Sequence, residues 1–179
     1  MNYFRKIQFN IVQKILETNE ILVFQKRTSK VLNSVLNDSI AVVFDIGANK
    51  GQSIKLFQKW FPKSKIYSFE PNPKLFSQLK NKYLNNKQIK LFEVALSNKN
   101  GEKQFNENLF DSSSTLETIN PHSKYLQKKS RILGVSQENL ITSSYPVRIK
   151  KLSDVIKELN LKTVDFIKID VEGHELNCL

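Results

Sequence analysis

Short apolar runs alternate with amphipathic segments along most of the chain after residue 40. Residues 41–46, AVVFDI, are apolar on both faces of an extended backbone, which is typical of a central parallel strand. A helix is predicted next, because apolar residues at helical spacing follow and a proline then ends the pattern: Ile54, Phe57, Phe61 and Pro62.

The alternation continues with a second strand and a second helix. Residues 65–70, KIYSFE, form the predicted strand. Asn72 is of the type that caps helices, and Pro73 after it suits the first helical position. The helix then presents one apolar stripe, made of Leu75, Leu79 and Tyr83.

Two further strands and a short helix are predicted in the rest of the chain. The third strand is residues 89–96, IKLFEVAL, with a hairpin turn expected at Asn100-Gly101. Ser153 is expected to cap the short helix, and residues 164–171 form the fourth strand. This order predicts an α/β fold with a doubly wound, mostly parallel, Rossmann-like sheet.

The first 38 residues form a different region, predicted to be a helical extension to a domain that spans residues 39–179. Apolar residues recur there at helical spacing, and basic residues interrupt every long apolar run. We expect this stripe to pack against protein, and peripheral contact with a membrane surface is the less favoured alternative. The stripe consists of Phe4, Ile7, Ile11 and Ile15.

Composition narrows the function classes. The 179 residues carry a formal charge of +11, but the lysines are scattered, so we expect no nucleic-acid partner. Cys178 is the only cysteine, which fits a reducing, cytoplasmic location. His122 and His174 are far apart and have no cysteine pairs beside them, so no metal site is expected.

Acidic residues occur at the predicted ends of three strands. Asp45, Glu70 and Asp170 should meet at one edge of the sheet, where open parallel sheets bind ligands. A dinucleotide loop would need glycine at Asn49 and at Gln52, and Asp45 would repel a pyrophosphate. S-adenosyl-L-methionine lacks phosphates and carries cationic groups, so it fits better as the cofactor. The turn also suits an asparagine in the left-handed conformation.

Four blocks, FDIGANKGQS, FEPNP, EVALSNKNGE and DFIKIDVEGHE, resemble the FkbM-type methyltransferases over residues 41–179. The resemblance implies a class I, Rossmann-like fold and methyl transfer to a hydroxyl of a sugar, glycan or natural-product acceptor. It also implies that a loop around the methionine part of the cofactor is formed by Asp45, Gly47, Ala48, Asn49 and Gly51.

The same resemblance implies roles for the other blocks. Glu70 would hold the ribose, with Pro71 and Asn72 shaping the turn behind it. The adenine side would be lined by Ala95, Leu96 and Ser97. Two serines, Ser113 and Ser114, resemble a pair that follows the hairpin in this family.

The candidate catalytic residues lie in the last block. Asp170 and Glu172 would face the reacting centre, where a base must remove the proton of the acceptor hydroxyl. Asp170 could instead position the ammonium group of the cofactor, which would leave Glu172 or His174 to contact the acceptor. His174 is also a candidate base, because histidine commonly removes protons in enzymes.

Members of this family should continue through further strands after residue 179, so the sequence looks truncated, and we expect weak cofactor binding and poor turnover. Two alternatives remain open. One is a nicotinamide-dependent oxidoreductase, which shares the fold and the acid after the second strand. The other is a nucleic-acid methyltransferase, which the positive charge suggests but the acidic DVEG block does not.

Overall fold

The computed structural model describes residues 31–32, 40–108, 114–117 and 141–179. The chain divides into two compact units, Met1–Ser39 and Ile40–Leu179. Val31 and Leu32 are helical, and the rest of the predicted N-terminal extension, with its apolar stripe, lies outside the described residues. Across the described part of the chain, no helix has both the length and the apolar character needed to span a membrane.

The second unit is built on a four-stranded parallel sheet. Its strands, numbered along the chain, are β1 (Val42–Ile46), β2 (Lys65–Phe69), β3 (Ile89–Phe92) and β7 (Phe166–Ile169). Their order in the sheet is β3-β2-β1-β7. This order confirms the predicted doubly wound arrangement, in which the chain starts at a central strand and turns to either side.

Apolar side chains cover both faces of the sheet. The helices α1 (Gln52–Trp60) and α2 (Pro73–Tyr83) pack on the face that holds Val43, and α3 (Leu152–Glu158) packs on the face that holds Phe44. Burial on both sides explains why residues 41–46 read as a continuous apolar run. The prediction that Asn72 caps α2 is confirmed, because its Oδ1 accepts hydrogen bonds from the backbone N–H groups of Lys74 and Leu75.

A second sheet differs from what the sequence predicted. Its strands are β4 (Ala95–Leu96), β5 (Gly101–Asn108) and β6 (Ile141–Lys150), in the order β4-β6-β5. The predicted third strand splits, because residues 95–96 leave β3 and pair with β6 instead. The predicted hairpin at Asn100-Gly101 is wrong, since β4 and β5 lie on opposite sides of β6.

The start of α3 also differs from the prediction. Lys151, and not Ser153, is the N-cap residue, and no side chain of the helix itself caps it. A remote residue stabilises this end, because Asn100 Oδ1 accepts a hydrogen bond from Lys151 N at 2.8 Å and Asn100 Nδ2 donates to Asp154 at 2.6 Å. After β7 the chain ends in a short 3-10 helix, Glu175–Cys178.

Candidate functional site

The loop between β1 and α1 has three residues with positive φ. Gly47, Asn49 and Gly51 have φ values of 80°, 49° and 78°, so the predicted left-handed conformation of Asn49 is confirmed. Glycine is required at position 47, because an added Cβ would lie 2.0 Å from the carbonyl oxygen of Asp170. The loop is therefore packed directly against the end of β7.

Hydrogen bonds fix this loop over the end of β2. The backbone N–H groups of Gly47 and Ala48 both donate to Phe69 O, at 3.0 and 3.1 Å. Gly51 N donates to Ala48 O at 2.8 Å, which closes the turn into α1. These hydrogen bonds define the shape of the loop.

Asp45 is fully buried within the parallel sheet. Its register partners on the neighbouring strands are Ser68 and Lys168, so the three side chains project from the same face. Ser53 Oγ lies 2.8 Å from both carboxylate oxygens, and Lys168 Nζ lies 3.4 Å from Oδ1. Asp45 therefore ties the first turn of α1 to β1 and is neutralised by Lys168, which also donates to Gly47 O at 2.7 Å.

Glu70 follows β2 and faces the same loop. Its side chain is buried, with Oε2 accepting from Asn49 N at 2.7 Å and Oε1 accepting from Asn72 N at 2.9 Å. Burial raises the pKa of Glu70 from 4.5 to about 7, although the two backbone hydrogen bonds act in the opposite direction, and Asp45 adds to the rise. Each carboxylate oxygen can still accept a second hydrogen bond.

The turn after Glu70 connects the two sheets. Pro71 is half-buried and Asn72 is fully buried. Asn72 Nδ2 donates to Glu107 Oε1 on β5 at 3.1 Å, and Ser143 on β6 donates to the other oxygen of that carboxylate at 2.7 Å. The structure thus brings the predicted turn residues against the second sheet.

Ala95, Leu96 and Ser97 lie together at the end of β4, and all three are buried. Ser97 N donates to Lys150 O at 2.8 Å, which extends the pairing of β4 with β6 by one residue. Of the other predicted serines, Ser113 is outside the described residues, and Ser114 Oγ accepts from Asn108 N at 3.1 Å. Ligand contact by this serine pair stays a prediction.

Asp170 and Glu172 lie after β7 and are exposed. The Asp170 side chain is 67% accessible, and its Oδ2 lies 3.7 Å from Lys168 Nζ. Glu172 has φ of 54°, and its carbonyl oxygen accepts a hydrogen bond from Thr115 Oγ1 at 2.8 Å. Both residues are therefore solvent-accessible at the end of β7.

His174 does not share this exposure. Its side chain is buried, Nε2 lies 3.0 Å from Ser97 Oγ, and Nδ1 is hydrogen-bonded to the Glu117 carboxylate. A general base must reach the proton that it removes, and both ring nitrogens are already bonded. A role of His174 as the base stays a prediction.

Two further residues belong to the site. Lys168 was visible in the sequence as one of the polar positions that alternate along the last strand, and its role as the partner of Asp45 follows from strand register. No local sequence pattern indicated a role for Glu117, because its contact with His174 joins residues 57 positions apart.

A sequence profile described as "Methyltransferase FkbM domain" matches residues 45–179. The chain belongs to the FkbM methyltransferase family. The match confirms the resemblance carried by the four sequence blocks, and the FkbM profile includes the loop after β1, Glu70, Ser97 and the residues after β7.

Named relatives of this FkbM chain agree with that assignment. It is 28% identical over 146 residues to 2-O-methyltransferase NoeI of Sinorhizobium fredii, covering 82% of this chain and 59% of NoeI. It is also 28% identical over 153 residues to Methyltransferase sdnD of Sordaria araneosa, covering 76% of this chain and 58% of sdnD. The chain therefore spans less than two thirds of the length of either relative.

A solved structure of Methyltransferase FkbM from Methylobacillus flagellatus is 15% identical, with a TM-score of 0.48. The similarity covers 81% of this chain and 30% of that one.

Proposed function

We propose that this protein is an S-adenosylmethionine-dependent O-methyltransferase that acts on a hydroxyl of a sugar, glycan or natural-product acceptor. The observation that carries the proposal is the contact between Glu70 and Asn49, which joins a buried acid after β2 to the glycine-spaced loop after β1. Membership of the FkbM family supports methyl transfer, and the name of NoeI, a 2-O-methyltransferase, supports an oxygen acceptor.

The residues at this edge of the sheet suit an adenosyl cofactor without phosphates. Glu70 keeps one accepting position on each oxygen, which matches the two hydroxyls of a ribose. Asp45 and Asp170 place two carboxylates near the loop, with oxygens 3.4 and 3.7 Å from Lys168 Nζ. Carboxylates in this position favour a ligand with positive charge and disfavour a pyrophosphate.

We assign the cofactor contacts accordingly. The methionine part would lie along the loop that contains Gly47, Ala48, Asn49 and Gly51, while Ala95, Leu96 and Ser97 would line the adenine side. Bound S-adenosylmethionine would supply a methyl group on a sulfonium, which is a good leaving group. The protein then has to align the acceptor oxygen and accept its proton.

In our proposal Asp170 and Glu172 have different roles. Asp170 lies beside Lys168 and the loop, so it would face the cationic groups of the cofactor. Glu172 would accept the proton of the acceptor hydroxyl, because it is exposed after β7 and carboxylates commonly act as general bases. Asp170→Asn should therefore weaken cofactor binding, whereas Glu172→Gln should lower the methyl-transfer rate and leave binding nearly unchanged.

Calorimetric titration tests the cofactor assignment. We expect S-adenosylhomocysteine to bind and NADH not to bind, and we expect Glu70→Ala to weaken binding at least about tenfold, the value of one good hydrogen bond to a charged group. Glu158→Gln is the matched control, because that carboxylate is 58% exposed and lies on α3. Binding of NADH alone would favour the oxidoreductase alternative.

Transfer of a labelled methyl group tests the acceptor class. The chain would be incubated with labelled S-adenosylmethionine and, in separate reactions, monosaccharides, glycans, hydroxyl-bearing natural products and single- or double-stranded nucleic acid. Label on a hydroxyl acceptor supports the proposal. Label on nucleic acid would replace it with the nucleic-acid alternative.

A further inference from the structure

Three polar side chains form a hydrogen-bonded row beside the proposed adenine contact. His174 lies in the middle, with Nε2 3.0 Å from Ser97 Oγ and Nδ1 bonded to Glu117 Oε1. Ser97 is 3% exposed and His174 is 1% exposed. Since buried polar groups are costly unless they are hydrogen-bonded, each member of the row depends on the next.

The protein holds Glu117 in place through the segment that precedes it. Thr115 pairs with Asn106 on β5 through backbone hydrogen bonds of 2.8 and 3.0 Å. Its Oγ1 accepts from Glu117 N at 3.0 Å and donates to Glu172 O at 2.8 Å. Glu117 is therefore fixed against the same turn that carries His174.

The Glu117 carboxylate determines which ring nitrogen of His174 carries the hydrogen. The hydrogen bond with His174 is the main cause that lowers the pKa of Glu117, burial opposes it, and Lys103, 3.1 Å away, lowers it further. An ionised carboxylate can only accept, so Nδ1 of His174 donates. In the neutral imidazole Nε2 is then an acceptor, and the hydroxyl of Ser97 donates to it.

We propose that Glu117 and His174 are positioning residues that turn Ser97 into a hydrogen-bond acceptor, and that Ser97 thereby selects adenine over a purine with an oxygen at carbon 6. The hydroxyl hydrogen of Ser97 is committed to His174, so only lone pairs remain for a ligand. The 6-amino group of adenine donates to such an acceptor, whereas a 6-oxo group places two acceptors face to face. This inference rests on the proposed function, because it requires an adenosyl cofactor beside Ser97.

A serine, a histidine and a carboxylate in this order also occur in hydrolases. That chemistry needs donors for an oxyanion as well as the serine oxygen. Ester hydrolysis that depends on Ser97 therefore distinguishes it from a positioning role.

The test compares S-adenosylhomocysteine with S-inosylhomocysteine, which differ at carbon 6 of the purine, by calorimetric titration. The unsubstituted chain should prefer the adenosyl compound by at least about tenfold, because a matched hydrogen bond is exchanged for an unmatched acceptor. Ser97→Ala should reduce this preference to about threefold or less.

Glu117→Met provides the sharper variant. Asn177 Nδ2 lies 3.3 Å from Nδ1, so without the carboxylate it donates to Nδ1 and the ring hydrogen moves to Nε2. Ser97 then becomes a donor, and the preference for the adenosyl compound should fall to about threefold or reverse.

Glu117→Gln keeps a carbonyl that accepts from Nδ1 and should restore the preference. Glu158→Gln is the matched control and should leave it unchanged, since that exposed carboxylate lies on α3 and pairs with Lys150.

The outcomes separate the two proposals. If the unsubstituted chain binds neither compound, the proposed function fails. If it binds both with the same affinity, or if Ser97→Ala and Glu117→Met keep the full preference, the inference on Ser97 is overturned while the cofactor assignment stands. Hydrolysis of p-nitrophenyl acetate that depends on Ser97 would also overturn it.

Discussion

Replacing Glu70 with glutamine should remove a pH dependence of stability that the unsubstituted chain shows between pH 5 and pH 8. The pKa of Glu70 is raised from 4.5 to about 7, chiefly by burial. Between these two values the folded chain retains a proton that the unfolded chain has released. The contribution of this proton to stability is complete below pH 4.5 and is lost as the pH rises through 7.

The size of the effect follows from the shift. One pKa unit corresponds to about 1.4 kcal/mol, so the full shift corresponds to about 3 kcal/mol at high pH. About 2.5 kcal/mol of this should be lost between pH 5 and pH 8. Glutamine does not titrate, and it cannot accept at both oxygens, so Glu70→Gln should be less stable at pH 5 but nearly flat over the range.

Urea unfolding at half-unit pH steps measures this difference. The difference in free energy of unfolding between the unsubstituted chain and Glu70→Gln should shrink by about 2.5 kcal/mol from pH 5 to pH 8. Glu158→Gln, at an exposed carboxylate on α3, should run parallel to the unsubstituted chain. Equal pH slopes for the unsubstituted chain and Glu70→Gln would show that Glu70 does not titrate in this range and would refute the reasoning.

Three other substitutions test the packing around the site by the same unfolding measurement. Gly47→Ala should destabilise the fold more than Gly173→Ala. Both glycines have positive φ, which costs an alanine about 1–2 kcal/mol, but only a Cβ at position 47 would meet a backbone oxygen. Equal losses of stability would contradict the close approach of the loop to β7. Asn72→Ala should lose about 1 kcal/mol more than Asn72→Ser, which keeps a capping oxygen, and a serine variant as unstable as alanine would argue against the cap. Lys168→Met should lower the free energy of unfolding by about 3 kcal/mol, because it leaves Asp45 buried without its cation. Adding Asp45→Asn should recover part of this loss. Purely additive losses in the double variant would show that the two groups are not coupled.

Local patterns identified the parts of the fold whose cause is local. The apolar run of β1, the stripes of α1 and α2, and the cap at Asn72 all depend on residues within a few positions of one another. The left-handed residue Asn49 is of the same kind, since its conformation is a property of the turn. The sequence also predicted that Asp45, Glu70 and Asp170 share one edge, because parallel strands end together.

Local patterns did not predict the second sheet. In β6 the residues Tyr145, Val147 and Ile149 alternate with more polar ones, which is a strand signal, but Pro146 between them weakens it. The hairpin prediction at Asn100-Gly101 failed because both flanking strands pair with β6, a segment about 40 residues further along the chain. Turn composition records a local preference and carries no information on a distant partner.

The sequence by itself determined the family, through four blocks that resemble it, and the parallel sheet and the turn at Asn49, which follow from periodicity and turn chemistry. Only the tertiary structure decided what individual polar groups do. It buried Asp45 against Lys168, raised the pKa of Glu70, and placed His174 between Ser97 and Glu117. Burial and hydrogen bonding between distant segments set those properties, and neither can be read from the order of the residues.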